Sequence, residues 1–304
     1  MRKHPILLAF IVIMVAVVAL GVVVYLVSSW TGKSPTIAGN QVGVVLIEGI
    51  LADSRDVLEQ IKYFEEAEKI KAVVVRINSP GGGVVPSEEI YQAVRELRKK
   101  KKVVASMGAV AASGGYLVAC GAERIMANPG TITGSISALM HFANIEELLK
   151  KVGVKSQVVK SGKFKDMGSP LREMTTEEKE LLQLVVDDIF DHFLDIIVKE
   201  RKIPKEKLKE MADGRIFTGR QAKALGLVDE LGGLDEAVKL AAQSAGLKEK
   251  PETIYAPKKK VTLWEFLLRE SFSSVTSEIL KKEPFQTGLY FIYEPGQMGK
   301  RPWQ

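Results

Sequence analysis

The chain has 304 residues, with 43 Lys and Arg against 37 Asp and Glu, for a formal net charge of +6 at pH 7. Its apolar fraction of 46% and charged fraction of 26% are those of a globular protein, and the length suits one large domain or two small ones. A single cysteine, Cys120, excludes an internal disulfide framework and any CxxC metal or redox site. The basic runs at 98–102 and 258–260 carry no interleaved aromatics, which excludes a nucleic-acid surface and leaves solvated charge.

The first thirty residues depart from that average. Residues 6–27 are uncharged and almost wholly apolar, and as a helix they would span about 33 Å, the thickness of a bilayer core. The run is longer than a signal-peptide core, with Arg2 and Lys3 before it and Tyr25 and Trp30 at its end. It predicts a single membrane anchor over 1–30, the N-terminus cytoplasmic and the remainder extracytoplasmic. Residues 31–40 form a polar linker.

Strand and helix patterns then alternate. Strands are predicted at 42–47, 72–77, 103–107, 124–127 and 156–160 from Val/Ile runs. Helices are predicted at 53–69, 87–100, 113–121, 144–151, 176–202, 204–212, 218–225 and 234–245. The long one opens on a capping-box pair, Thr175 and Glu178, and carries an apolar stripe through Leu181, Val185, Ile189 and Phe193. Buried-type strands separated by helices indicate an α/β fold with a parallel sheet. Residues 41–248 form the predicted catalytic domain. Residues 249–304 read as a basic extension with an amphipathic segment at 263–280 and an aromatic end.

Two loops can carry chemistry. Asn78-Ser79-Pro80-Gly81-Gly82-Gly83 follows a strand, where glycines expose backbone N–H groups to a ligand. Ser113 follows the next strand and opens a helix at Gly114 and Gly115, the position of a nucleophile whose neighbouring N–H stabilises an oxyanion. In an open α/β sheet both loops share the crevice at the strands' carboxyl ends. Cys120 follows Leu117, Val118 and Ala119 and reads as a buried core thiol.

A base for Ser113 is less obvious. Of three histidines, His4 precedes the apolar run and His192 lies inside the long helix, which leaves His141. A lysine serves as well when burial lowers its pKa from about 10.4 toward 7, a shift equivalent to roughly 4 kcal/mol. Lys163 and Lys165, in a loop that could fold over the crevice, are the candidates.

Taken together, INSPGGG, SMGAVAASGGY, TITGS, KSGKFKDMGSPLREMT and DGRIFTGRQAKALGLVDELG resemble, in this order, the signal peptide peptidase A family. The resemblance covers residues 40–245 and the N-terminal anchor. It implies a membrane-anchored Ser/Lys-dyad serine protease of the crotonase and Clp-protease superfold, a repeated ββα superhelix. It further implies Ser113 as nucleophile, Lys165 as general base, Ser135 as the hydroxyl orienting that base, and Gly82 and Gly114 as oxyanion donors. Lys163 is then an ordinary neighbour. The chain departs from the family where Ser137 follows Ile136 in place of a glycine.

No metal or diffusible cofactor is implied. The implied substrates are hydrophobic peptides and signal-peptide remnants. The implied assembly is a ring- or dome-shaped homo-oligomer whose sites draw residues from adjacent subunits, in contact with lipid through the anchor. Two alternatives share the fold, a partner-specific protease of the stomatin-associated type and a crotonase-type acyl-CoA enzyme. The anchor and external domain disfavour the second.

Overall fold

The computed structural model describes residues 10, 12–23, 40–248, 251–257 and 289–292. The chain divides into two units, residues 1–38 and 39–304. In the first, residues 10 and 12–23 are α-helical with exposed apolar side chains. Among the described residues no helix is long and apolar enough to cross a membrane, and the rest of the expected span at 6–27 lies outside them.

The second unit is built on an eight-stranded sheet. Its central path runs β10 (Glu252–Tyr255), β1 (Gln41–Glu48), β2 (Ala72–Ser79), β4 (Lys102–Ala112), β5 (Arg124–Ala127), β9 (Glu230–Leu231), every pairing parallel. The continuous Val/Ile runs are required because both faces are covered. In β2, Val73, Val74, Val75 and Ile77 are fully buried. Arg76 escapes by donating to Ser106 Oγ (2.9 Å) and the Met107 carbonyl (3.0 Å) on β4.

Helices α1 (Arg55–Glu66), α2 (Val84–Lys100) and α3 (Gly114–Ala119) follow successive strands, as the alternating pattern predicts. Close approaches fix their seating. A Cβ on Gly43 would meet the Phe64 ring at 2.6 Å, so β1 accepts α1 only with glycine there. The helix Leu234–Ser244 packs Ala237, Ala241 and Ala242 against Val42, Val74 and Val104 of the sheet.

Four expectations are revised. β4 runs on to Ala112, well past 107, because β6 (Ile132–Gly134) pairs with its last residues. α2 begins at Val84, since Pro86 is tolerated in a first turn where its missing N–H has no acceptor. Residues 156–160 form no strand: Val158 and Val159 are exposed, and a Val-rich run without a neighbouring strand has no ladder to join. β10 carries the sheet past residue 248, pairing with β1.

The long helix Thr176–Arg201 has its capping box as expected. Its C-terminal half is buried through Phe193, Leu194 and Ile197, whereas Leu181, Leu184 and Val185 nearer its start face solvent. A second sheet has three antiparallel strands, β3 (Gly81–Gly83), β11 (Leu289–Ile292) and β7 (Leu139–Met140), with β11 in the middle. The expected amphipathic segment at 263–280 lies outside the described residues.

Candidate active site

Ser113 sits where β4 turns into α3. Its backbone adopts φ 52 and ψ −117, a conformation costing a non-glycine residue about 1–3 kcal/mol, held by bonds on both sides. Its N–H donates to the Gly134 carbonyl (2.8 Å), and its carbonyl accepts from Leu117 N (2.9 Å). Ser113 is 1% exposed, and its Oγ finds no hydrogen-bond partner among the described residues. A buried hydroxyl left unsatisfied costs about 1–3 kcal/mol.

The glycine turn lies beside it by sheet register. Ser79 pairs with Ala111, so two further residues bring one chain to Gly81 and the other to Ser113. Gly115 makes the approach possible, since a Cβ there would meet the Ser79 carbonyl at 2.9 Å. Gly83 N donates to the Leu51 carbonyl and Leu51 N to the Gly81 carbonyl, both at 2.9 Å. Alternate residues of a strand present their N–H and C=O to opposite edges, so those of Gly82 face away from Leu51, toward β11. A side chain at Gly82 would strike the Leu51 carbonyl at 2.4 Å, which makes glycine obligatory. Gly114 opens α3, where N–H groups have no acceptor within the helix. Gly82 thus lies on β3 with its N–H toward β11, and Gly114 directly follows Ser113 at the start of α3.

Ser135 lies on the other side. β6 pairs with β4 so that Ala112 stands opposite Gly134, and Thr133 Oγ1 (2.6 Å) and Thr131 Oγ1 (2.7 Å) tie the segment to the Ala111 and Gly108 carbonyls. Ser135 is buried, has φ 49 and donates its N–H to the Arg215 carbonyl (2.8 Å). Ile136 is fully buried beyond it.

The base candidates fall elsewhere. Lys165 is exposed in the turn 161–169, and its N–H donates to the Gly162 carbonyl (3.2 Å). Its ammonium makes no hydrogen bond or ion pair with a described residue, so one chain alone does not bring it to Ser113 Oγ. Lys163 is engaged, paired with Glu177 and lying 5.1 Å over the Phe164 ring. His141 is exposed, and His192 pairs with Glu88 (3.1 Å) on the surface. Cys120 is buried as expected, and burial pushes its thiol up to about 12.

Two features were not legible in advance. The Gly134 carbonyl that seats Ser113 is backbone, invisible to residue type. β11 crosses the glycine turn with Phe291 opposite Gly82 and Tyr290 opposite Gly83, while Tyr290 also pairs with Leu139. The apolar run LYFI was its available signal.

A serine raised on a strained strand-to-helix turn, beside a glycine strand that accepts an extended chain, defines a serine peptidase on the Clp-protease fold. The Clp protease family model accordingly matches residues 41–133. The model of peptidase family S49 matches residues 95–248, and the chain belongs to that family, the signal peptide peptidase A type that its motifs resemble. A Synechocystis sp. protein whose name marks it as a protease is 46% identical over 234 residues, covering 75% of this chain and 83% of that protein. The chloroplastic serine protease SPPA of Arabidopsis thaliana is 35% identical over 195 residues, which are 64% of this chain and 29% of that protein. A ClpP1 mutant from Listeria monocytogenes aligns with 64% of this chain and 94% of its own at 18% identity and a TM-score of 0.45.

Proposed function

We propose that this serine peptidase cleaves extended apolar peptides, signal-peptide remnants among them, with Ser113 as nucleophile and Lys165 as general base. The observation that carries the reading is the buried Oγ of Ser113, without a hydrogen-bond partner among the described residues, on a strand-to-helix turn at positive φ. Neutral Lys165 takes the Ser113 proton as Oγ attacks the peptide carbonyl, and Ser135 orients the amine. The oxyanion accepts from the Gly82 and Gly114 N–H groups, and the ammonium returns its proton to the departing amine. Water then hydrolyses the acyl-enzyme by the same route.

The position of β11 supports the substrate class. A strand between β3 and β7 is held by backbone bonds, the way an extended peptide adds to a sheet edge. The tail takes the place of substrate there.

Lys165 reaches Ser113 from a neighbouring copy. An amine acts as a base only when desolvated, and the single chain leaves Lys165 exposed. The same region exposes Val154, Val158, Val159, Leu181 and Leu184, an apolar set suited to burial against a second subunit. We read the assembly as a closed ring or dome, held at the membrane by residues 6–27 with the catalytic unit extracytoplasmic. Hydrolysis of a hydrophobic signal-peptide substrate by wild type, S113A and K165A tests the dyad. Retention of activity by S113A would sink the reading, and retention by K165A would reassign the base.

A further inference from the structure

We propose that Arg172 is the positioning residue for the catalytic base, its guanidinium setting the pose of the turn that carries Lys165. The inference rests on the reading of Lys165 as that base.

Arg172 spends every one of its N–H donors locally. Nε donates to the Asp166 carboxylate (2.9 Å) and Nη2 to the Asp166 carbonyl (3.3 Å). Nη1 donates to the Glu173 carbonyl (3.0 Å) and to Glu178 Oε2 (2.9 Å), and Nη2 to Glu178 Oε1 (2.5 Å). Asp166, the residue after Lys165, also takes the ammonium of Lys160, so both ends of the segment 160–172 converge on it.

The other end of the clamp is rigid. Glu178 is 2% exposed, accepts from Thr175 N (2.9 Å) and belongs to the capping box of Thr176–Arg201. That helix is anchored at its far end, where Arg201 bonds Asp229 (2.8 and 3.0 Å) and Asp229 accepts from Ile125 N of β5. Its N-terminal half is only partly covered: Leu181, Leu184 and Val185 are exposed, and Leu182 and Val186 are half-buried. In the turn 161–169, residues 161–163 and Lys165 are exposed and the rest half-buried, with Gly168 seated on the Phe142 ring. Arg172 thus joins the turn beside Lys165 to a fixed helix end, and a planar fork holds two carboxylates in one geometry as a lysine cannot.

Misplacing a catalytic group by about 1 Å costs on the order of 100-fold in rate. Arg172→Gln should lower kcat for a fluorogenic apolar peptide by about that factor with KM nearly unchanged. Arg172→Lys, which keeps charge without the fork, should fall between. Asp166→Asn keeps the Arg172–Glu178 pair and releases only the turn. It should reproduce the kcat loss while thermal unfolding stays near wild type.

Wild-type kcat in both Arg172→Gln and Asp166→Asn, with Lys165→Ala inactive, would overturn the inference alone. Full activity in Lys165→Ala would instead remove the base assignment on which it rests. Loss of kcat in Arg172→Gln through unfolding alone, with Asp166→Asn unaffected, would also overturn it.

Discussion

Ser113 and Ser135 leave neighbouring parallel strands on the same rung, one residue beyond the paired Ala112 and Gly134, and both do so at positive φ (52 and 49). The Gly134 carbonyl, between them, accepts the Ser113 N–H at 2.8 Å. Two adjacent left-handed residues are costly in a backbone that could relax, so the sheet register holds them. Removing the Ser135 hydroxyl with Ser135→Gly spares the backbone, since glycine tolerates this φ. The variant should retain the fold, measured by thermal unfolding, and lose roughly 100-fold in kcat.

Gly82→Ala should fail differently. The added methyl meets the Leu51 backbone at 2.4 to 2.6 Å, so β3 must shift and the Gly82 N–H with it. Loss of one oxyanion donor costs about 100- to 1,000-fold in kcat. Unlike Ser135→Gly, this substitution should also lower the unfolding temperature. Equal stability of the two variants would argue against the close β3–Leu51 contact.

If Lys165 serves a neighbouring copy, inactive subunits should complement one another. Equal parts of S113A and K165A, unfolded and reassembled together, should recover up to about a quarter of wild-type hydrolysis, the chance that adjoining copies supply one intact residue each. Recovery of no activity from mixed assemblies of native size would place both residues of the dyad in one chain.

The tail strand predicts competition. Ending the chain after residue 257 keeps β10 on the sheet and removes β11 from the glycine turn, so KM for added peptide should fall. Wild type should also trim itself within or beside 289–292, where Phe291 faces Gly82, as read by intact mass. S113A should remain full length. An untrimmed wild type with an unchanged KM on truncation would mean that β11 does not occupy the substrate position.

Acid should release the clamp before the core. The Arg172 guanidinium, with help from Thr175, holds Glu178 at about 2, below the ordinary 4.5. Arg172 and Lys160 hold Asp166 well below the carboxylate range. A depressed carboxylate stabilises the folded state fully above its unfolded pKa and loses that contribution as pH falls through the folded one. Proteolysis or amide exchange at 161–178 should therefore rise between about pH 4.5 and 2. In Arg172→Gln the same segment should already be open at neutral pH. By contrast, Cys120, raised to about 12 by burial, should resist iodoacetamide at pH 8 until the protein unfolds.

Sequence by itself determined the chemistry-bearing loops and the parallel sheet, because both rest on local rules. Buried parallel strands need unbroken runs such as VVASM, and a nucleophile after a strand needs glycines that let backbone crowd it. It misread 156–160 as a strand, and it could not say that the stripe from Leu181 is covered only toward Phe193, because periodicity reports an apolar face and not what covers it. Tertiary structure decided that the Gly134 carbonyl seats Ser113 and that the strand 289–292 pairs with Gly82. Those facts depend on pairings between residues as distant as Gly82 and Phe291, and long-range register is set by the packed sheet rather than by any local stretch of chain.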